Sequence, residues 1–517
     1  MRPETLIQLL GLASTLSAAT AFTSIDPLVA RRPRTHSCPA LQSTTNPLAI
    51  NVNEIAERDI ESFERWSNEV GIQKAPGFVL KSADRYSKNV YAMTVQDVAS
   101  GSPVLYVPEE LIFSSNKAMA AYRTPEMAAA ERQLETFDSV SELRQYYLMV
   151  QLLVEIERGT DSPWYPWLNS LPRYFENAVS MSSFCVNCLP PLMRKLNEKE
   201  RGNQQSLNEW AFSKVPYLSD ETKANEALIK WVYQIVYTRS FEWEGDLRIV
   251  PMGDMFDHTS NGSPEVMPWY DEYGNYYAYS QFDIPAGSPL RMTYGHETRP
   301  SFLLARYGFL DEEGQATHCK LIFENVDDDL VELGYSEERM LFYSTGEVSE
   351  EVWDVLLYRF LDQTNNVMEK QTLMNAFRNE DYDTKNMLHE TYYPYTSAML
   401  MEHIDNFLVE LDKLQKKAET IGKVEVYVKN EHPRLPLIMR HNEFIKDAFL
   451  KVKSMYSPDE NWRDATMRVT VLECNIDECA EAECVVDEMG NWECEGGLGY
   501  NEDGTERATS KTIMQYE

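Results

Sequence analysis

The chain has 517 residues, 43% of them hydrophobic, and its formal net charge is −34 at neutral pH. This length exceeds what one ordinary hydrophobic core supports, so two folded units with additional tails are expected. An acidic chain is repelled by a phosphate backbone, which argues against nucleic acid as the main partner unless basic residues cluster on one face.

The first 49 residues have the composition of a targeting presequence. A basic residue and an apolar run from Leu6 to Leu16 give the order of a signal peptide, and residues 31–47, rich in Arg, Ser, Thr and Pro, are typical of a transit peptide. The two parts resemble the bipartite presequence of algae with complex plastids, where a phenylalanine, here Phe22, follows the cleavage point. We predict a plastid location, with the secretory pathway as the alternative. The apolar run is shorter than the ~20 residues that span a bilayer, so no membrane association is expected after presequence removal.

Short helices and strands are predicted between residue 53 and about residue 315. Apolar spacing predicts a helix over 53–70, with Ile55 on its apolar face. Turn residues interrupt the β-like runs that follow. Further helices are predicted over 142–158 and 224–241, and strands over 90–95, 104–107, 247–256, 276–287 and 289–295.

Beyond about Asn325 the pattern becomes helical. An apolar stripe at helical spacing is formed by Leu400, Ile404, Phe407, Leu411 and Leu414. Residues 471–506 contain many Asp and Glu and no Lys or Arg. This composition predicts a flexible acidic tail, apart from any structure that its cysteines impose.

The cysteines form no disulfide framework for the whole chain. Cys185 and Cys188 have the spacing of a ligand pair, but a second pair is missing nearby, so two inert thiols or a redox pair are expected in preference to zinc. The tail contains Cys474, Cys479, Cys484 and Cys494. Two disulfides or no structure are expected there in preference to a metal site, and no metal is predicted anywhere in the chain.

Three segments carry a family resemblance. The first is 159–172, GTDSPWYPWLNSLP. The second is 238–241, TRSF, followed by 250–259, VPMGDMFDHT. The third is 292–295, MTYG, followed by 304–309, LARYGF. Together they resemble, in order and spacing, the motifs of SET domain proteins of the Rubisco large-subunit methyltransferase class.

The resemblance implies an α+β protein with a SET-type β fold that is interrupted by a helical insert and followed by an all-α C-terminal domain. The expected parts are a presequence (1–49), the N-terminal helix with the first part of the SET domain (50–115), the helical insert (116–240), the second part of the SET domain (241–315), a helical domain resembling the substrate-binding domain of the class (316–462) and an acidic tail (463–517).

The implied activity is transfer of a methyl group from S-adenosylmethionine to a lysine of a protein substrate, which the helical C-terminal domain would bind. Methyl transfer is an in-line displacement, so the site must orient two ligands and keep the target nitrogen unprotonated. By resemblance Tyr307 is the catalytic tyrosine, assisted by Tyr294. The cofactor would be bound by Arg239, Asp254, Asp257, His258 and Tyr294.

Two departures from the family pattern leave alternatives open. Asp257 stands where the family has asparagine, and it can accept from the cofactor ammonium but cannot donate to its carboxylate. Residues 85–91, RYSKNVY, stand where the family has a glycine-rich cofactor loop. One alternative is a SET-like binding or assembly factor without activity, and another is a redox-regulated interaction protein. A third is a protein-histidine methyltransferase, because the sequence DMFDHT at 254–259 resembles the motif of family members that modify histidine.

Overall fold

The structure is a computed structural model. It describes residues 50–82, 89–136, 140–207, 211–260, 262–295, 298–323, 325–422, 431–456, 469–475, 478–486, 492–495 and 512–516. The presequence therefore lies outside the described residues, and plastid targeting stays a prediction. The described residues divide into two compact units, the first within 50–186, 193–295 and 301–313 and the second within 187–192, 298–300 and 314–516.

The first helix, α1 (Ile60–Glu69), begins later than predicted. The side chain of Asp59 caps it by accepting a backbone N–H of the first turn. The preceding Asn53 side chain accepts the amide of Ile55 in a local turn, and Ile55 is 90% exposed. The prediction of a helix over 53–70 with Ile55 on its buried face was therefore wrong at its N-terminal end, because Asn and Asp side chains compete with helical hydrogen bonds.

The β structure of the first unit combines strands from distant parts of the sequence. Its strands are β1 (Gln73–Lys74), β2 (Phe78–Ser82), β3 (Val90–Thr94), β4 (Pro103–Val107), β5 (Phe113–Ser114), β6 (Phe241–Trp243), β7 (Asp246–Ile249), β8 (Asp257–His258), β9 (Val266–Tyr270), β10 (Tyr276–Ser280) and β11 (Arg291–Met292). The largest sheet has the order β1–β4–β10–β9 and is antiparallel. Strand β5 pairs with β7, so two sheets join chain segments that lie before and after the helical insert.

The helices of this part of the chain are α2 (Ser115–Tyr122), α3 (Ala128–Thr136), α4 (Val140–Glu157), α5 (Tyr165–Ser170), α6 (Ser183–Val186), α7 (Pro191–Ser206), α8 (Asp220–Ala224), α9 (Glu226–Arg239) and α10 (Pro300–Tyr307). The predicted helices over 142–158 and 224–241 correspond to α4 and α9. Asn225 caps α9 by accepting the amide of Leu228. Leu228, Trp231 and Ile235, which share one side of this helix, are buried in the core of the unit.

The second unit is mainly helical. Its elements up to residue 456 are β12 (Ala316–His318), α11 (Asp328–Glu332), β13 (Leu341–Tyr343), α12 (Glu350–Gln363), α13 (Val367–Arg378), α14 (Tyr382–Gly422) and α15 (Leu435–Tyr456). All five residues of the predicted stripe in α14 are buried, and four of them, all but Leu414, belong to the hydrophobic cluster at the core of this unit. None of the described helices is long and apolar enough to cross a bilayer.

The tail contains a four-stranded antiparallel sheet where the sequence predicts flexibility. Its strands are β14 (Val469–Asn475), β15 (Glu478–Val486), β16 (Trp492–Glu495) and β17 (Thr512–Tyr516), in the order β16–β15–β14–β17. Val and Thr in β14 and Val in β15 favour strands despite the acidic composition. The register pairs Cys474 with Cys479 and Cys484 with Cys494.

Candidate active site

All six residues that the sequence nominates line one cavity of the first unit, which has a volume of about 600 Å³. They are Arg239, Asp254, Asp257, His258, Tyr294 and Tyr307. They come from the end of α9, the segment between β7 and β9, the segment after β11 and the end of α10. The fold thus brings together side chains that are up to 68 positions apart, from Arg239 to Tyr307.

Arg239 and Asp254 form a buried ion pair in the cavity wall. Nη1 of Arg239 donates to the backbone carbonyl of Asp254 at 2.6 Å and to its Oδ2 at 3.0 Å. Nε1 of Trp167, in the 159–172 motif, donates to the same Oδ2 at 3.2 Å. Burial raises the pKa of Asp254, and the neighbouring Arg239 opposes this rise.

Two polar atoms of this pair are left unsatisfied by the described residues. Nε of Arg239 and Oδ1 of Asp254 are buried, and neither has a hydrogen-bond partner among the described residues. A buried donor and acceptor without partners are each costly, by about 1–3 kcal/mol. A ligand with a carboxylate and an ammonium, as in the methionine moiety of S-adenosylmethionine, matches this donor and acceptor.

The backbone before Asp254 is strained. Met252 has φ +75° and is fully buried, and the next three residues form a short 3₁₀ turn. A Cβ at Gly253 would lie 3.0 Å from Cγ1 of Val250, so the turn has little room for a larger residue. Such a conformation costs about 1–3 kcal/mol and persists where the surroundings enforce it. Here it places Asp254 next to Arg239.

Asp257 provides a second carboxylate in the cavity wall. It lies in β8, which pairs in parallel with β11. Burial raises the pKa of Asp257 to about 6, although Arg239, a hydrogen bond from Asn89 and Arg291 all act to lower it. Residues 85–88 lie outside the described residues, so Asn89 is the first residue of the segment 85–91 that the structure describes, and it too lines the cavity. The carboxyl group of Asp257 therefore titrates closer to neutrality than an ordinary aspartate.

His258 holds the site together through both ring nitrogens. Nδ1 accepts the backbone N–H of Tyr294 at 3.0 Å, and Nε2 lies 2.7 Å from Oγ of Ser260. Because Nδ1 accepts, the proton of the neutral ring is on Nε2. These contacts give His258 a positioning role for Tyr294. Direct binding of a cofactor by His258 stays a prediction.

Three aromatic side chains form a further part of the wall. The ring centroids of Tyr294 and Tyr307 are 5.1 Å apart, and Phe309 lies 6.4 and 6.1 Å from them. The hydroxyl of Tyr294 donates to the carbonyl of Phe256 at 2.6 Å. Burial raises the pKa of Tyr307, so its phenol stays protonated at neutral pH. The group is therefore a neutral hydroxyl beside aromatic faces that can stabilise a cation.

A buried network supports the end of α10 that carries Tyr307. Nε of Arg306 donates to Oε1 of Glu200 at 2.9 Å, and the guanidinium lies 4.6 Å from the ring centroid of Tyr237. Tyr233 donates to the other oxygen of Glu200, also at 2.9 Å. These contacts fix the residue next to Tyr307 from within the helical insert.

Gly308 allows a close approach of two chain segments. It has φ +84°, and a Cβ at this position would lie 2.5 Å from the backbone nitrogen of Asn177. The side chain of Asn177 also donates to the carbonyl of Arg306. The glycine of the Tyr-Gly-Phe motif is therefore required both by conformation and by space.

Several residues of the wall were not named as site residues from the sequence, although some lie in the quoted segments: Pro172, Thr238, Gly308 and Phe309 in the motifs, and Asn89 and Val90 in 85–91. Arg58, Tyr174, Phe175 and Glu176 lie outside those segments. Residues 174–176 follow the 159–172 motif after one residue, so continuing that motif would have found them. Arg58, which donates from Nε to the carbonyl of Ser170 at 2.6 Å, precedes α1 without any recognisable motif.

The described residues contain no group of three His, Cys, Asp or Glu side chains arranged to hold a metal ion. Cys185, Cys188 and Cys319 are buried as free thiols. The titratable side chains that line the cavity are carboxylates, guanidinium groups, phenols and the imidazole of His258.

Comparison with known proteins identifies the fold. No family model matches the chain. Protein SET DOMAIN GROUP 40 of Arabidopsis thaliana is 21% identical over 311 residues, which are 50% of this chain and 60% of that protein. The match thus spans about 60% of the length of this curated relative.

Solved structures give a longer match. The SET domain of LSMT bound to lysine and AdoHcy has a TM-score of 0.55 at 14% identity, covering 79% of this chain and 93% of that one. Rubisco LSMT bound to AdoMet (TM-score 0.52, 15% identity, 79% and 94% covered) and LSMT bound to sinefungin and monomethyllysine (0.53, 15%, 79% and 93%) are similar. The chain has the SET-type fold of these proteins, so the predicted α+β class and the family resemblance are confirmed at the level of fold.

Proposed function

We propose that this chain transfers a methyl group from S-adenosylmethionine to the side-chain amine of a lysine in a protein substrate. The observation that carries the proposal is the composition of the cavity. The Arg239–Asp254 pair, with one donor and one acceptor left over, lies in the same cavity as the Tyr294–Tyr307–Phe309 cluster. The solved relatives of the same fold contain AdoMet, AdoHcy, lysine or monomethyllysine, which supports this choice of ligands.

The polar part of the wall suits the amino-acid end of the cofactor. Arg239 would bind its carboxylate, using the free Nε together with a terminal nitrogen. Oδ1 of Asp254 and the carboxylate of Asp257 would accept from its ammonium group. Asp257 can do this fully only when ionised, and its pKa of about 6 leaves it ionised at neutral pH. When bound, the cofactor supplies a methyl group on a positively charged sulfur.

The aromatic part suits the target amine. The lysine must enter unprotonated, because an ammonium has no lone pair for an in-line displacement. Tyr307 remains a neutral phenol, since burial raises its pKa. It therefore orients the amine by a hydrogen bond and does not remove its proton as a phenolate. The ring faces of Tyr294, Tyr307 and Phe309 stabilise the positive charge that develops on the nitrogen.

We infer that the second unit recognises the protein substrate, as its resemblance to the substrate-binding domain of the class implies. The long helices α12 to α15 give it a core of its own. A protein substrate located in the plastid follows from the presequence prediction. Pull-down of partners with the full chain and with the variant Tyr307→Phe would separate binding from catalysis, because the variant retains the whole surface.

The first test is calorimetric titration of S-adenosylmethionine into the folded protein. We expect micromolar binding that Arg239→Lys weakens, because lysine keeps the charge but loses the planar fork. Arg144→Ala is the matched control, since Arg144 pairs with the exposed Glu242 and does not line the cavity. Absence of heat and of any thermal shift at millimolar cofactor would refute the enzymatic proposal and favour a SET-like binding factor.

The second test separates an enzyme from a binding factor when the cofactor does bind. Tyr307→Phe removes one hydroxyl and keeps the ring in the aromatic cluster. We expect methyl transfer to a captured substrate to fall by about 10²-fold or more, as for loss of a group that acts in the transition state, with cofactor affinity unchanged. Equal transfer by the variant would remove Tyr307 from the proposed mechanism.

A further inference from the structure

The antiparallel sheet of the first unit has an outer face made of aromatic side chains. Strands alternate their side chains between two faces, and in β10 buried positions alternate with more accessible ones. The more accessible face, which includes one position of β4, carries Met267 and Trp269, which are exposed, and Tyr106, Tyr277 and Tyr279, which are partly buried. We call these five residues the aromatic platform.

The rings of the platform form a continuous surface. Tyr277 pairs with Tyr106 on one side and with Trp269 on the other. Its ring centroid lies 5.0 Å from that of Tyr106, 5.6 Å from that of Trp269 and 5.8 Å from that of Tyr279, to which it is nearly parallel. Trp269 is 41% and Met267 is 53% exposed. Exposed apolar groups that form a contiguous patch, unlike scattered ones, mark interaction sites.

The charge around the platform is negative. Burial is the main cause that raises the pKa values of Tyr106, Tyr277 and Tyr279, and the carboxylate of Asp271 raises all three further. Glu110 acts in the same direction on Tyr106. The charged groups that act on these phenols are thus carboxylates. Asp271 is held in place, because it accepts the backbone amides of Tyr273 and Asn275 at the turn between β9 and β10.

We propose that the aromatic platform binds an extended, arginine-containing segment of a partner protein. Guanidinium groups stack on the faces of Trp and Tyr and are attracted by their quadrupoles, and the carboxylates of Asp271 and Glu110 at the edge complement their charge. An acidic peptide is repelled by the same carboxylates. A second copy of this chain, with a net charge of −34, lacks the complementary charge. None of the platform residues lines the cavity described above, so this surface goes beyond the proposed methyl transfer.

The test measures fluorescence anisotropy of a labelled (Arg-Pro)₅ peptide with the full chain. We expect Trp269→Ala and Asp271→Asn each to weaken binding by about tenfold, in line with the loss of one favourable cation–π or ionic contact. Tyr273→Ala is the matched control, because Tyr273 is a 74% exposed aromatic residue in the same turn but outside the platform. Its binding should equal that of the wild type.

Other outcomes would overturn the proposal. Equal binding by Trp269→Ala and wild type would show that the acidic chain attracts the peptide without using the platform. Equal binding of (Ser-Pro)₅ would show that the surface recognises proline and not arginine. Concentration-dependent dimerisation that Trp269→Ala abolishes would make a second copy the occupant. Tighter peptide binding after the triple change of Arg31, Arg32 and Arg34 to serine would make the N-terminal segment of the same chain the occupant. Thermal unfolding and S-adenosylmethionine titration of each variant verify the fold independently.

Discussion

Nη1 of Arg239 lies 3.0 Å from Oδ2 of Asp254, and the side chain of Asp254 is completely buried. A buried pair is costly to break because the remaining charge has lost its partner. We predict that Asp254→Ala lowers the free energy of unfolding by about 3–5 kcal/mol, measured by urea titration. Asp254→Asn should cost less, since the amide oxygen can still accept from Trp167 and Arg239.

A surface pair provides the control for this prediction. Arg144 pairs with Glu242, whose side chain is 61% exposed. Glu242→Ala should change the free energy of unfolding by less than about 1 kcal/mol. Similar effects of the two alanine variants would contradict the importance assigned to burial of the Arg239–Asp254 pair.

Substitutions at Gly308 and Gly101 distinguish two costs of adding a side chain, that of a positive φ and that of steric crowding. Both have positive φ, but a Cβ at Gly101 would meet nothing within 4 Å, whereas one at Gly308 would lie 2.5 Å from the nitrogen of Asn177. We predict that Gly101→Ala costs about 1–2 kcal/mol and Gly308→Ala about 1–3 kcal/mol more. Chemical unfolding checks the difference. Equal costs would show that the two segments separate easily.

The pH dependence of cofactor binding tests Asp257, on the basis of the proposed function. Burial raises the pKa of Asp257 to about 6, and only the ionised form attracts the ammonium of the cofactor strongly. The affinity for S-adenosylmethionine should therefore rise with pH up to about 6 and level off above it, with a slope approaching tenfold per pH unit below that value. Calorimetry between pH 5 and pH 8 checks the profile. Asp257→Asn should flatten it, and an unchanged profile in this variant would assign the titration to another group.

The raised pKa of Asp257 also makes the stability of the folded chain depend on pH, but here stability falls as the pH rises, whereas cofactor affinity increases. The folded-state pKa of Asp257 is higher than the ordinary value of 3.8, so the folded chain holds the proton more tightly than the unfolded chain. The contribution of Asp257 to stability is therefore most favourable below about pH 4 and is lost as the pH rises through 6. In the absence of cofactor, Asp257→Asn should remove this loss from the pH profile of the unfolding free energy.

The buried Lys320 should make the stability of the second unit depend on pH. Burial lowers its pKa to about 8, and its ammonium donates to Oγ1 of Thr317. Because the folded-state pKa lies below the unfolded value of 10.5, the cost of burying the charge is fully present below pH 8 and disappears as the pH approaches 10.5. Lys320→Met should thus be most stabilising, relative to the wild type, near pH 7, and this advantage should shrink towards pH 10. Urea titrations at the two pH values give the measurement, and a constant difference would contradict the prediction.

The order of the motifs and the apolar spacing determined much of the fold. The helices α4 and α9, the stripe of α14 and the interrupted β structure follow from side-chain periodicity and turn residues, which are local properties of the sequence. The local hydrogen bonds at Asn53 and Asp59, and the register of the tail strands, depend on competition between alternative partners. The sequence pattern therefore placed the start of the first helix too early and did not predict the strands of the tail.

The sequence by itself determined which residue types are present for the chemistry: Arg239, the acidic residues and histidine of the 254–258 turn, and two tyrosines in glycine-containing motifs. Only the tertiary structure decided that Arg239 pairs with Asp254, that His258 uses both ring nitrogens to hold the site, and that Arg58 belongs to the same cavity. The platform likewise exists only because β4, β9 and β10 become neighbours. The physical reason is that hydrogen bonds, burial and the pKa shifts that they cause depend on distances in space, which a pattern along the chain does not contain.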